Sequence, residues 1–256
     1  MEFLRKIRLF NGNGLKLLAA LCMLIDHLGV MLFPKVAWLR FIGRCAMPLF
    51  AFMIAEGCRY TKDKAKHFAL LFGLGLACQI VYTIFDPENI YLGILLTFSF
   101  SVLIIYAMQY AKKCYFTETG VKGKLLSSLL VLALIALAYL LCEAVTVDYG
   151  FWGIMRPVFA SIFDFHRIPA PSILKKLDVL PLRVLCMAVP IALCMVIPSS
   201  PFLISSMPWK ITVYTAFTIP LLLLYNGEKG KLNMKYFFYI FYPAHLVFLY
   251  ALDMFF

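Results

Sequence analysis

Acidic residues are scarce in this chain: 13 Asp and Glu stand against 24 Lys and Arg. Charge of either sign is thin, at 14% of residues, and no stretch stays polar long enough to form an appended soluble domain. The eight cysteines (Cys22, Cys45, Cys58, Cys78, Cys114, Cys142, Cys186 and Cys194) never fall as CxxC or in a zinc-like cluster. Most lie in apolar runs, where cysteine behaves as a small hydrophobe, so neither disulfides nor a metal is expected. No clear internal repeat is present. Arg5, Lys6 and Arg8 precede an apolar run, as in a signal peptide, but no small-x-small cleavage site follows it. That run also carries Asp26 and His27, which points to a retained first helix.

What the chain has in excess is apolar residues, 63% of the total, with a mean hydropathy of +0.89. A soluble domain holds about 45–50%. The hydrophobics come in blocks of about 18–22 residues, enough for a helix to cross the hydrocarbon core. The expectation is an all-α, polytopic transmembrane helical bundle, a single integral membrane domain over residues 1–256. About nine spans are expected, near 14–33, 38–58, 67–85, 91–110, 124–142, 149–165, 183–198, 209–225 and 235–254. The sixth, interrupted by Gly153, Arg156 and Pro157, reads as broken or re-entrant, and the seventh contains Pro190.

The cations then alternate. Clusters before or opening span one, and after spans two, four, six and eight, hold nineteen of the 24 Lys and Arg. The connections 34–37, 86–90, 143–148 and 199–208 carry Asp86, Glu88, Glu143 and Asp148, and only Lys35 among cations. The positive-inside rule places the N-terminus in the cytoplasm. Anchoring to lipid headgroups explains most of the +11 net charge, so nucleic acid is not an expected partner.

Ionisable groups within hydrocarbon cost about 2.5–3.5 kcal/mol each on insertion scales and by default face a protein interior or a cavity. Asp26 and His27 lie in span one, Arg44 and Glu56 in span two, Asp148 and Arg156 at the sixth, and His245 in the ninth. Adjacent helical residues diverge by about 100°, so Asp26 and His27 need separate partners. Arg44 is the cation at matching depth for Asp26, which would leave His27 facing a cavity. A structural polar clasp is the alternative. Arg44 and Glu56, about 18 Å apart along a helix, cannot touch, and Glu56 is expected near Arg59 or Lys62. Pro243 disturbs the helix beside His245. The stretch YNGEKG (225–230) is a turn signal. Its N–H groups, with Lys229 and Lys231, suit either a phosphate or nothing more than a tight turn, and it matches no P-loop or GxGxxG pattern.

The pieces GLKLLAALCMLIDHLGV, LRFIGRCAMPLFAFMIAEGCRYT, VDYGFWG, YNGEKG and KYFFYIFYPAHL resemble, in order, the TraX family of integral membrane proteins. That family's named activity is acetylation of the N-terminal amine of a conjugative pilus subunit, and it is similar to a wider group of membrane acyltransferases that use cytosolic acyl-CoA. The resemblance implies an acetyl or other acyl transfer at a bacterial inner membrane. The donor would be acyl-CoA, with no metal, and the acceptor a peptide amine, glycan hydroxyl or lipid headgroup. Lys16, a small residue (Ala19 or Ala20) and His27 match the early-helix layout of that group. The resemblance makes His27, Asp26 and Arg44 the catalytic candidates. Lys16, Glu56, Asp148, Tyr149, Arg156, Asn226, Lys229, Tyr242 and His245 become binding or support candidates. The family's Asn shortly before a Thr in the fourth span is missing here, where YLGILL precedes Thr97.

An imidazole suits a general base, and a guanidinium suits a developing oxyanion. The expected arrangement is His27 as base, oriented by Asp26, Asp148 or Tyr149, with Arg44 polarising the carbonyl or pairing with Asp26. Two other classes use the same residues: a proton-coupled transporter and a non-catalytic membrane assembly subunit held by interhelical polar contacts.

Overall fold

The computed structural model describes residues 9–85, 91–117, 119–196, 215–231 and 234–253. Helix α1 (Gly12–Met31) is capped by Asn11, whose side chain accepts from the Gly14 N–H. Then follow α2 (Ala37–Gly43), α3 (Ala46–Tyr60), α4 (Lys64–Phe85), α5 (Ile94–Phe116) and α6 (Val121–Ala144). The later helices are α7 (Gly150–Ala160), α8 (Ser172–Lys176), α9 (Leu180–Val196), α10 (Thr218–Leu223) and α11 (Lys235–Asp253). Two-residue strands β1 (Tyr91–Leu92) and β2 (Thr146–Val147) pair in parallel. Among the described residues, five helical stretches are long and apolar enough to cross a membrane: α1, α2 with α3, α4, α5 and α6.

The second expected span is not one helix. It breaks at Arg44–Cys45, because Pro48 offers no N–H to the Arg44 carbonyl and its ring crowds that carbonyl. The sixth is an 11-residue helix ending at Ala160 rather than a span to 165, about 16 Å long and too short to cross. The connections 86–90 and 199–208, the end of the seventh span, part of the eighth and residue 254 of the ninth lie outside the described residues.

Helix α3 is the buried centre, with Leu49, Ala51, Phe52 and Ala55 sealed from solvent. In contrast α6 is buried over only 11% of its most apolar window. Its exposed leucines, such as Leu126 and Leu140, make it the lipid-facing rim of the bundle. Hydroxyls stitch the interior: Ser101 Oγ donates to the Ile154 carbonyl at 2.7 Å and Thr97 Oγ1 to the Asp148 carbonyl at 3.1 Å.

Glycines let α1 and α2 meet. A Cβ on Gly29 would stand 2.8 Å from Leu39 Cβ, and one on Gly43 would stand 2.5 Å from Asp26 Cα. The backbones therefore touch where the candidate acid sits. Gly43→Ala is expected to force α1 away from α2, at a cost of about 1–3 kcal/mol or more, with loss of folded yield in detergent. Gly73→Ala, with nothing within 4 Å of its added Cβ, is the control and should be neutral or gain up to about 1 kcal/mol of helix propensity. Equal melting temperatures for both variants would contradict this packing.

Candidate functional site

Asp26 is paired from α2 by two arginines. Arg40 Nη1 lies 2.9 Å from Asp26 Oδ2 and Arg44 Nη2 lies 3.6 Å from the same oxygen. Arg40 and Arg44 are four residues apart and share a helix face, so this shorter contact was readable as an i, i+4 repeat of the one proposed, yet the sequence reading passed over Arg40. The other carboxylate oxygen, Oδ1, is buried with no hydrogen-bond partner among the described residues. Arg44 is 1% exposed, and its Nη1 donates to the Tyr149 hydroxyl at 3.0 Å. Tyr149 adopts a left-handed conformation, φ 58°, followed by Gly150 at φ 55°. Such strain in a non-glycine residue persists only where the surroundings enforce it. Here β1–β2 pairing and the Asp148 N–H bond to the Leu92 carbonyl (2.9 Å) anchor the turn. Arg156 faces the same Tyr149 ring at 5.9 Å and donates to Met47 Sδ. Desolvation pushes the Asp148 carboxyl up to about 7, with Arg44 opposing the rise.

His27 does not face Asp26, Asp148 or Tyr149, as the sequence suggested. Its Nδ1 lies 2.9 Å from Nε2 of His245, and the two rings lie edge to edge, centroids 5.1 Å apart and planes 11° apart. His245 Nδ1 contacts the Phe241 carbonyl at 3.0 Å. Phe237, Phe241 and His245 repeat every fourth residue on α11 and stack in turn, and His27 of α1 meets the end of that column through the N···N contact. Tyr242 closes on His245 edge-on at 5.4 Å.

A cavity of about 550 Å³ is bordered by Phe241 and Tyr242, the aromatic neighbours of His245. Lys16, Lys62, Lys66 and Lys229 stand in its wall. Farther in, Phe50, Ile54, Leu71, Leu74 and Leu95 make apolar walls that reach Phe241 and Tyr242. Lys16 and His27 are eleven residues apart, about three turns and 16 Å, and therefore share a face of α1. A second hollow of about 530 Å³, which also meets Lys16 and Lys229, is lined by Glu56, Tyr60 and Tyr225.

Glu56 does not reach Arg59 or Lys62. It pairs with Arg183 of α9 and accepts from the Tyr225 hydroxyl at 3.1 Å. Arg59 instead bridges Asp164 (2.9 Å) and Asp178. The YNGEKG stretch works as a strap. Gly12 N–H donates to the Glu228 carbonyl (2.7 Å) and Asn13 N–H to the Lys229 carbonyl (3.1 Å). Asn226 N–H donates to the Phe10 carbonyl, and the Asn226 side chain accepts from the Glu228 N–H. Carbonyls of this turn thus satisfy the orphan donors that open α1. That favours the tight-turn reading over a phosphate loop and leaves Lys229 beside Lys16.

The family model described as TraX protein matches residues 11–253. A probable fimbrial assembly protein, FimC, of Dichelobacter nodosus is 25% identical over 252 residues, covering 96% of this chain and 97% of that protein. An uncharacterized protein of Rickettsia prowazekii (strain Madrid E) is 34% identical over 102 residues, 40% of this chain and 39% of that protein. No solved structure matches the chain. With the family match running from the start of α1 to the end of α11, the chain belongs to the TraX family of membrane proteins.

Proposed function

We propose that this protein is a membrane-embedded acyltransferase. It moves an acetyl or other acyl group from cytosolic acyl-CoA to an amine or hydroxyl presented at the opposite face, such as a pilin N-terminus. The supporting observation is the graded cavity: four lysines, then an apolar corridor, then Phe241 and Tyr242 against the His27–His245 pair. Coenzyme A has the same gradation, with phosphates at one end, a thin uncharged arm and a reactive thioester at the tip. A cationic mouth concentrates such a polyanion. The name of the Dichelobacter relative, a fimbrial assembly protein, favours a pilin-like acceptor.

In the reaction, the acceptor's nitrogen or oxygen attacks the thioester carbonyl as His27 removes its proton. The carbonyl oxygen gains charge, the carbon–sulfur bond breaks, and His27 returns the proton to the departing CoA thiolate. Arg44, already committed to Asp26 and Tyr149, holds the acid that borders His27 and keeps positive potential near the forming oxyanion.

The reading is tested by acetyl-CoA binding to purified protein and by release of free CoA with a model peptide amine. Lys16→Ala with Lys229→Ala is expected to weaken binding about 10-fold or more at low salt, less at high salt, with little change in kcat. Tight, salt-insensitive binding in that double variant, or proton-coupled flux through liposomes without CoA release, would sink the proposal.

A further inference from the structure

Among the contacts of the His27–His245 pair, one partner has no freedom. The Phe241 carbonyl can only accept a hydrogen bond, so the 3.0 Å contact with His245 Nδ1 requires a proton on that nitrogen. A neutral His245 then has a bare Nε2. The 2.9 Å contact between His245 Nε2 and His27 Nδ1 in turn requires the proton of His27 to sit on Nδ1. One backbone carbonyl therefore sets two tautomers in series.

Resting on the acyltransferase reading, we propose that His245 is the positioning residue that locks His27 as its Nδ1–H tautomer and so makes His27 Nε2 the atom that takes the acceptor's proton. The ring column gives the lock its rigidity. Phe241 stacks on His245 at 5.2 Å and 12°, and Tyr242 meets it at 77°. His245 is 5% exposed, so water does not compete for its Nε2. When the acceptor's bond to the acyl carbon forms, its proton moves to His27 Nε2. His27 is then an imidazolium whose Nδ1–H points at the lone pair of His245, a charge-assisted bond stronger than the resting one. As the carbon–sulfur bond breaks, the Nε2 proton passes to the CoA sulfur, and both rings return to their starting tautomers. His245 does here what a carboxylate does beside a catalytic imidazole, but without adding a negative charge to the membrane interior.

The chain contains four histidines, so ring-15N labelling gives four spin systems, assigned by single substitutions. The expected wild-type spectrum has His27 Nδ1 protonated and Nε2 bare. His245→Phe keeps an aromatic ring in the column and removes the acceptor. It should convert His27 to a mixture of tautomers, lower kcat about 10–100-fold, and leave KM for acetyl-CoA nearly unchanged. His245→Gln, which restores an acceptor oxygen, should recover part of the kcat and part of the tautomer bias. A bare His27 Nδ1 in the wild type overturns the assignment whatever the variants do, and it needs no variant to fold. A protonated Nδ1 together with no CoA release by the wild-type protein would leave the lock standing and remove the acyltransferase reading instead, whereas unchanged transfer in His27→Ala would overturn the role of His27 Nε2.

Discussion

His27→Ala is expected to lower acyl transfer by about 10²–10⁴-fold, the usual contribution of a positioned general base, while acetyl-CoA still binds. The split follows from distance. The lysines that would hold the CoA phosphates lie in the cavity wall with Lys16, about 16 Å along α1 from His27. Removing the imidazole therefore touches the reacting atoms and not the anchor. In kinetic terms kcat and kcat/KM should fall together, with KM nearly constant. A coupled assay for free CoA, run beside a binding isotherm, reads both quantities. Full activity in a folded His27→Ala protein would end the assignment. A raised KM at unchanged kcat would move His27 from chemistry to donor binding.

Arg183→Ala should be the most damaging change to stability outside the site. Arg183 and Glu56 side chains are 5% and 6% exposed. Arg183 Nε also donates to the Ala160 carbonyl at 3.3 Å, and its guanidinium lies over the Phe52 ring at 5.4 Å. Removing one partner leaves Glu56 charged and buried, with only the Tyr225 hydroxyl donating to it among the described residues. Such broken pairs cost about 3–5 kcal/mol. A large fall in melting temperature in detergent is expected for Arg183→Ala, and much of it should return in the double variant Glu56→Leu with Arg183→Met, because no orphan charge remains. Lys175→Ala, on an exposed position of α8, is the reference. A shift for Arg183→Ala no larger than for Lys175→Ala would show that the pair carries little.

The helices near the chain's start were legible because long apolar runs have one stable form in lipid. The breaks were harder to see. Pro48 near the start of α3 ends α2 at Arg44, yet hydropathy averages over it. The same averaging joined α7 to the turns after Ala160. Asp26, His27, Arg44 and His245 stood out as charges or imidazoles in apolar surroundings, and the structure brings all four to neighbouring positions on α1, α2 and α11. Their pairings were not legible, because depth along a helix says nothing about which neighbour lies beside it. Counting cations by side also hid their work. Lys112 donates to the carbonyls of Ser161, Ile162 and Asp164 and caps the end of α7, where positive charge suits the helix dipole. Arg59 and Arg183 are likewise spent inside the protein rather than on headgroups.

The two imidazoles are separated by 218 positions, on the first and last described helices. Order of synthesis then matters. Asp26 meets Arg40 only fourteen residues later, so the acid is neutralised as soon as the first hairpin has entered the membrane. Among the described residues His27 finds its hydrogen-bond partner only in His245. It waits until α11 has left the ribosome, and the strap from Phe10 to Tyr225 cannot close before α10 is finished either. A nascent chain stopped short of α11 holds the whole lysine-lined side of α1 and no completed dyad. The histidine pair thus forms in a single late step, after every other described helix is in place.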